Sequence, residues 1–120
     1  MPSQEQMKAA LQAYVDGFAK GDADSVIALF AEDAIVEDPV GTPEKRGGEV
    51  AEFYRNAVAG GAKLVLEGPI RGSHGSSAAM PFIVEMPGMK ISVIDVFTFD
   101  EAGKVTSMRA YWGPDEITQG

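Results

Sequence analysis

The sequence has no cysteine, which rules out disulfides and thiol chemistry and fits a reducing compartment. It has one histidine, His74, which argues against a zinc centre of the ordinary kind. His74 stands in Gly72-Ser73-His74-Gly75, loop by composition, and no role follows for it. No apolar run approaches the length of a membrane span. The N-terminus also lacks a basic stretch followed by an apolar core. The expectation is a soluble, cytoplasmic protein with no membrane partner. Basic side chains are scarce: 10 Lys and Arg face 18 Asp and Glu, for a formal net charge of −8. That argues against nucleic acid and anionic membrane surfaces, both of which need a basic patch. No internal repeat, low-complexity segment or linker is visible, so the expectation is one domain over residues 1–120.

What the chain does have is apolar residues, 45% of the total, enough for a sizeable core. Their most informative arrangement runs from Ile91 to Phe99. This stretch is rich in β-branched and aromatic residues and reads as a strand. Alternation puts Ile91, Val93, Asp95, Phe97 and Phe99 on one face. A charged carboxylate is costly in such company. Asp95 is therefore paired, or protonated with a raised pKa, or sits at an edge where it reaches water.

Earlier in the chain, Ser3 with Gln6 forms an approximate capping box. Met7, Leu11, Tyr14, Val15 and Phe18 follow at helical spacing, and Gly21 is a stop. A second helix fits Asp24 to Phe30, capped by Asp22 or Asp24. Ala34 to Asp38 reads as a strand, closed by the turn chemistry of Pro39-Val40-Gly41. Thr42 to Gly48 is loop with room for a short strand. A third helix fits Glu49 to Val58, with Val50, Phe53, Tyr54, Ala57 and Val58 inward and Gly60-Gly61 at its end. The pattern then turns to strands at Lys63–Glu67, Ser76–Met86, Met89–Phe99 and Lys104–Trp112, joined by short turns. Helices mainly first and antiparallel strands after make an α+β fold, with helices packed on one face of a curved sheet. Between the two layers an apolar pocket can form.

Periodicity assigns three polar groups to inward faces: Tyr14, Asp38 and Asp95. Each has a plain structural reading as well. Tyr14 could be a core tyrosine bonded to a carbonyl, and Asp38 a turn-capping acid. Together they divide the labour of proton abstraction beside a carbonyl. A partly exposed carboxylate takes the proton, while a phenol and a neutral carboxylic acid donate to the oxygen that gains charge. Phe82, Val84, Met108 and Trp112 are candidate pocket walls and suit an apolar substrate.

Several segments resemble the Δ5-3-ketosteroid isomerases, nearly throughout the chain. They are Tyr14, the run from Gly21 to Gly41 with its Val-Glu-Asp-Pro-Val-Gly, Glu52 to Asn56 around Tyr54, and Ile94 to Gly113. The resemblance implies a cone-shaped, nuclear-transport-factor-2-like α+β fold with three helices on a curved, antiparallel-rich sheet, usually a homodimer. It implies that Asp38 moves a proton from C4 to C6 of a steroid, giving the conjugated ketone. Tyr14 and protonated Asp95 would form the oxyanion hole, Tyr54 would support Tyr14, and Trp112 and Met108 would line the cavity. A raised pKa for the oxyanion-hole acid is a known property of that family rather than something read from these residues. No cofactor or metal is implied. The turn at Pro87-Gly88 is shorter than usual for the family, and Phe30 stands where some members have a further tyrosine. Two alternatives remain: a non-catalytic carrier for an apolar metabolite, and a related enzyme acting on another cyclic substrate.

Overall fold

Ser3 starts the first helix, α1 (Gln4–Lys20), through a complete capping box. The Gln6 N–H donates to Ser3 Oγ at 3.0 Å, and the Ser3 N–H donates to Gln6 Oε1 at 2.7 Å. Gly21 ends the helix in the left-handed region, at φ 68°, where glycine carries no Cβ penalty. Lys63 Nζ adds a cation at this end, donating to the Phe18 carbonyl at 3.0 Å. The expected stripe of Met7, Leu11, Tyr14, Val15 and Phe18 is buried. These observations come from a computed structural model that describes residues 1–119.

The second helix, α2 (Ala23–Ile27), is shorter than its sequence pattern suggests. Asp22 caps it by accepting from the Ser25 N–H at 3.1 Å. A distant segment ends it: Lys104 Nζ donates to the Ala28 carbonyl at 2.8 Å, and the Val105 N–H donates to the Leu29 carbonyl at 2.9 Å. Phe30 therefore belongs not to this helix but to strand β1 (Phe30–Glu37). A two-residue strand, β2 (Lys45–Arg46), leads into helix α3 (Gly48–Ala59). Strands β3 (Lys63–Leu66), β4 (Ser77–Met86), β5 (Met89–Phe99) and β6 (Val105–Tyr111) follow. After one 3-10 turn at Pro114–Glu116 comes a short strand, β7 (Ile117–Gln119), which the sequence reading did not foresee. Three residues show no periodicity to read. Among the described residues, no helix is long and apolar enough to cross a membrane.

The strands form one mixed sheet in the order β2-β1-β6-β5-β4-β3, with β7 paired to the start of β5. All pairings but one are antiparallel. The exception joins β1 to β6 in parallel, with Val36 opposite Met108 and Glu37 opposite Arg109. The fold is thus α+β with three helices and a mixed sheet rather than a simple antiparallel meander. Its inner face carries Met80 and Phe82 of β4, Val93, Asp95 and Phe97 of β5, and Met108 and Ala110 of β6, all buried. Helix α1 packs over β3 and β4, and α3 packs over β1 and β2.

Helices α1 and α2 meet at Gly17. A Cβ added there would lie 2.5 Å from Val26 Cγ2 and 2.8 Å from Ser25 Oγ. Val26 is fully buried and has nowhere to go. Helix propensity alone favours alanine over glycine by about 1 kcal/mol, whereas overpacking costs about 1–3 kcal/mol. We expect the clash to win, so that Gly17→Ala lowers the urea midpoint. A raised midpoint would mean that the two helices separate easily.

Candidate active site

Four elements deliver polar groups to one space. Helix α1 supplies Tyr14, the end of β1 supplies Asp38, the middle of β5 supplies Asp95, and the residue after β6 supplies Trp112. All four line a cavity of about 230 Å³ between the sheet and the helices. Phe82 and Val84 line it as expected, together with Phe53, Leu64, Met86 and Ile91. The expectation for Met108 is corrected: it does not line the cavity. It is fully buried within the sheet's inner layer, paired with Phe97 on one side and Val36 on the other. Alternation gives its face on β6, shared with Ala110, but not its depth. His74 is exposed in its loop.

Asp95 is only 2% exposed, between Met80 of β4 and Ala110 of β6, with Val93 and Phe97 beside it on the same face. Its Oδ1 has no hydrogen-bond partner among the described residues. Burial pushes its pKa well above the ordinary carboxylate range, and the nearby charge of Asp38 pushes the same way. A neutral acid in this position is a hydrogen-bond donor.

Tyr14 is held by aromatic rings. Phe97 and Tyr54 meet it edge-on at centroid distances of 4.9 and 5.5 Å, and Phe18 lies at 5.3 Å. Its hydroxyl donates to the Tyr54 hydroxyl at 2.9 Å, in a fully buried pair. Burial raises the pKa of both phenols well above the usual value, so both keep their protons. A hydroxyl can donate and accept at once. The same contact therefore serves equally with Tyr54 donating to Tyr14 while Tyr14 donates into the cavity.

Asp38 is partly buried, and its environment is different. The Trp112 indole Nε1 donates to Asp38 Oδ1 at 2.8 Å. Burial raises its pKa, but that hydrogen bond and the Lys45 ammonium pull it back. Two carboxyl groups at one cavity thus differ in degree: Asp95 is pushed well above the ordinary range, while the upward shift of Asp38 is opposed by the indole and the ammonium. This is the arrangement that general acid–base chemistry requires. The sequence reading made Trp112 a wall and missed its bond to Asp38. The signal was present, because a half-buried indole N–H wants an acceptor. Among the described residues, no group of three or more His, Cys, Asp or Glu side chains is arranged to hold a metal ion.

Residues 11–108 match the family model of the SnoaL-like domain. The chain belongs to that family. A steroid Delta-isomerase of Nocardioides simplex is 38% identical over 116 residues, a match covering 93% of this chain and 94% of the relative. The chain is thus a homologue of a steroid isomerase. A solved structure of the epoxide hydrolase/cyclase-like enzyme SalBIII, described for pyran ring formation in polyether salinomycin, superposes with a TM-score of 0.92 at 29% identity. That match covers 100% of both chains. SnoaL-like members with this NTF2-like fold therefore include enzymes of different reactions, and side chains rather than backbone distinguish them.

The raised pKa of Asp95 has a thermodynamic consequence with a definite sign. Its unfolded value is about 3.9. Its contribution to stability is complete below that pH and is lost as pH rises towards the folded value. Asparagine mimics the neutral acid and does not titrate. Apart from a constant offset for the amide, we expect Asp95→Asn to gain on the wild type as pH rises from 4 to 8. The gain is at most about 1.4 kcal/mol per pH unit. Urea unfolding at several pH values measures it, and a pH-independent difference would reject a neutral Asp95.

Proposed function

We propose that this protein is a steroid Δ-isomerase, converting 3-oxo-Δ5-steroids to 3-oxo-Δ4-steroids through a dienolate. The observation that carries this reading is the pair of proton-retaining donors, Tyr14 and Asp95, on the same apolar cavity as Asp38. Burial raises the Asp38 pKa too, but Trp112 and Lys45 oppose that rise and favour its anion, and Asp95 has no such partners.

The Asp38 carboxylate takes the proton from C4 of the substrate. The C–H electrons form the C3–C4 double bond, and those of the carbonyl move onto O3. Tyr14 and neutral Asp95 donate hydrogen bonds to that oxygen as it gains charge, in a site with little water to compete. Asp38, now the acid, returns the proton to C6. The electrons of the original C5–C6 double bond take up that proton, the C3–C4 pair shifts to make the new C4–C5 double bond, and the O3 lone pair restores the carbonyl. Tyr54 supports Tyr14 from behind. Phe82, Val84 and Trp112 bound the ring system. Asp38 and Asp95 neither gain nor lose a proton over the cycle.

The reading takes residues 1–120 as a single domain that works in the cytoplasm without cofactor. It also includes a homodimer. The outer sheet face exposes Ile94 (50%) directly opposite Tyr111 (49%), with Val65 nearby on β3. Apolar surface of this kind commonly marks an interface. A second reading, a related enzyme working on another cyclic substrate, draws on the likeness to the epoxide hydrolase/cyclase-like structure. A non-catalytic carrier is the third, and it has no need of a base facing two donors.

Conversion of 5-androstene-3,17-dione, followed by absorbance of the conjugated enone, tests the first reading. We expect Asp38→Asn to lose most turnover yet bind a phenolic steroid. We expect Tyr14→Phe and Asp95→Ala each to lose turnover by about 10²–10³-fold, the usual cost of an oxyanion-hole donor. Losses below tenfold for both would reject the hole. Ile94→Glu should convert a dimer to a monomer by sedimentation; an unchanged mass would reject that face as the interface.

A further inference from the structure

Asp38 directly follows β1, and Glu37, the strand's last residue, points to the outer side of the sheet. Glu37 bridges two elements with its two oxygens. Its Oε1 accepts from Arg109 Nε at 3.1 Å. Its Oε2 accepts from the Gly41 N–H at 2.9 Å. Arg109 stands directly across from Glu37 in the parallel β1–β6 pairing. The carboxylate therefore ties β6 to the far end of the turn that begins at Asp38.

We propose that Glu37 and Arg109 are positioning residues for Asp38, a clamp on the outer face of the sheet that fixes the turn carrying the base. The proposal rests on the reading of Asp38 as the base. Three anchors come from one four-residue stretch of chain. Arg109 reaches Glu37 on the outer face. The Ala110 carbonyl accepts from the Val40 N–H at 2.8 Å between the strands. Trp112 Nε1 reaches Asp38 on the inner face at 2.8 Å. The turn is thus gripped from both sides of the sheet, and Glu44 holds the Arg109 guanidinium from the rim at 3.8 Å.

Stability does not account for the arrangement. The Arg109 side chain is 39% exposed and that of Glu37 is 18% exposed, and such a pair contributes little to folding. Its second contact is different. A charge-assisted bond to a backbone N–H has a fixed direction, and it locks the Gly41 peptide relative to Glu37. Gly41 lies at φ 101°, where other residues are strained, so the turn has few alternative shapes. Reaction rates respond steeply to such placement. A shift of about 1 Å in a reacting group costs about 10²-fold.

The test uses the full chain in the isomerase assay. We expect Glu37→Ala and Arg109→Ala to lower kcat by about 10–100-fold with KM changed less than about threefold. The affinity for a phenolic steroid, which reads Tyr14 and Asp95 alone, should stay at the wild-type value. The double variant should lose no more than the worse single one, since both remove one unit. Arg109→Lys should recover part of the loss. If Glu37→Ala does not fold, the two Arg109 variants decide alone. Full kcat in Arg109→Ala while Asp38→Asn is inactive would overturn the clamp and leave the base assignment standing. Full activity in Asp38→Asn would overturn both. A loss of kcat matched by an equal loss of phenol affinity, or one that vanishes at high protein concentration, would make the pair structural and also overturn the proposal.

Discussion

A carboxyl group placed among hydrocarbon has two courses: to find a partner or to keep its proton. Asp95 has Met80 and Ala110 across from it and one oxygen without a bond, so it keeps its proton. Much of the site follows from that constraint. The neighbours that make the position apolar are the alternating residues of β5 itself, Val93 and Phe97 among them. The same Phe97 packs edge-on against Tyr14. One strand face therefore holds the acid neutral and locates the phenol beside the same cavity. Asp38 meets the same effect in weaker form, because it lies past the end of its strand, where an indole N–H and a lysine oppose the rise that burial causes.

Much of this was legible in the chain, because the signals were local. The Ser3–Gln6 box, the Gly21 stop and the α1 stripe depend only on neighbours within a few turns, and each appears as read. The β5 alternation is similarly self-contained. What failed to show in the sequence depends on distant partners. Helix α2 ends early because Lys104 and Val105, far away in sequence, capture the two carbonyls that follow it. The parallel seam between β1 and β6 has no signature in either strand alone. Met108 lies on the inner face that alternation assigns it but is buried within that layer rather than on the cavity wall, because a period of two gives the face and not the depth.

The two layers differ in what they contribute. The core side is built from burial and packing, which tolerate exchange of one apolar residue for another of similar size. The Asp38 side is built from directional bonds: an indole N–H, a backbone amide and a guanidinium. Members of the family that share the backbone while catalysing other reactions fit this division. The apolar framework can persist while a few directional groups are exchanged.

The parallel seam also sets an order of events. Asp38 and the indole that holds it are 74 positions apart in the chain. On a ribosome, Tyr14 and Asp38 are synthesised long before β6 exists to receive them. Contacts so distant close late, after local helices and hairpins have formed. The α1 helix and the β4–β5 hairpin can each organise from neighbours. Asp38 cannot meet its indole partner until β6 has slotted in beside β1. In this fold, closing the seam between β1 and β6 and assembling the polar side of the cavity are one step, so a half-made chain has only half of that cavity.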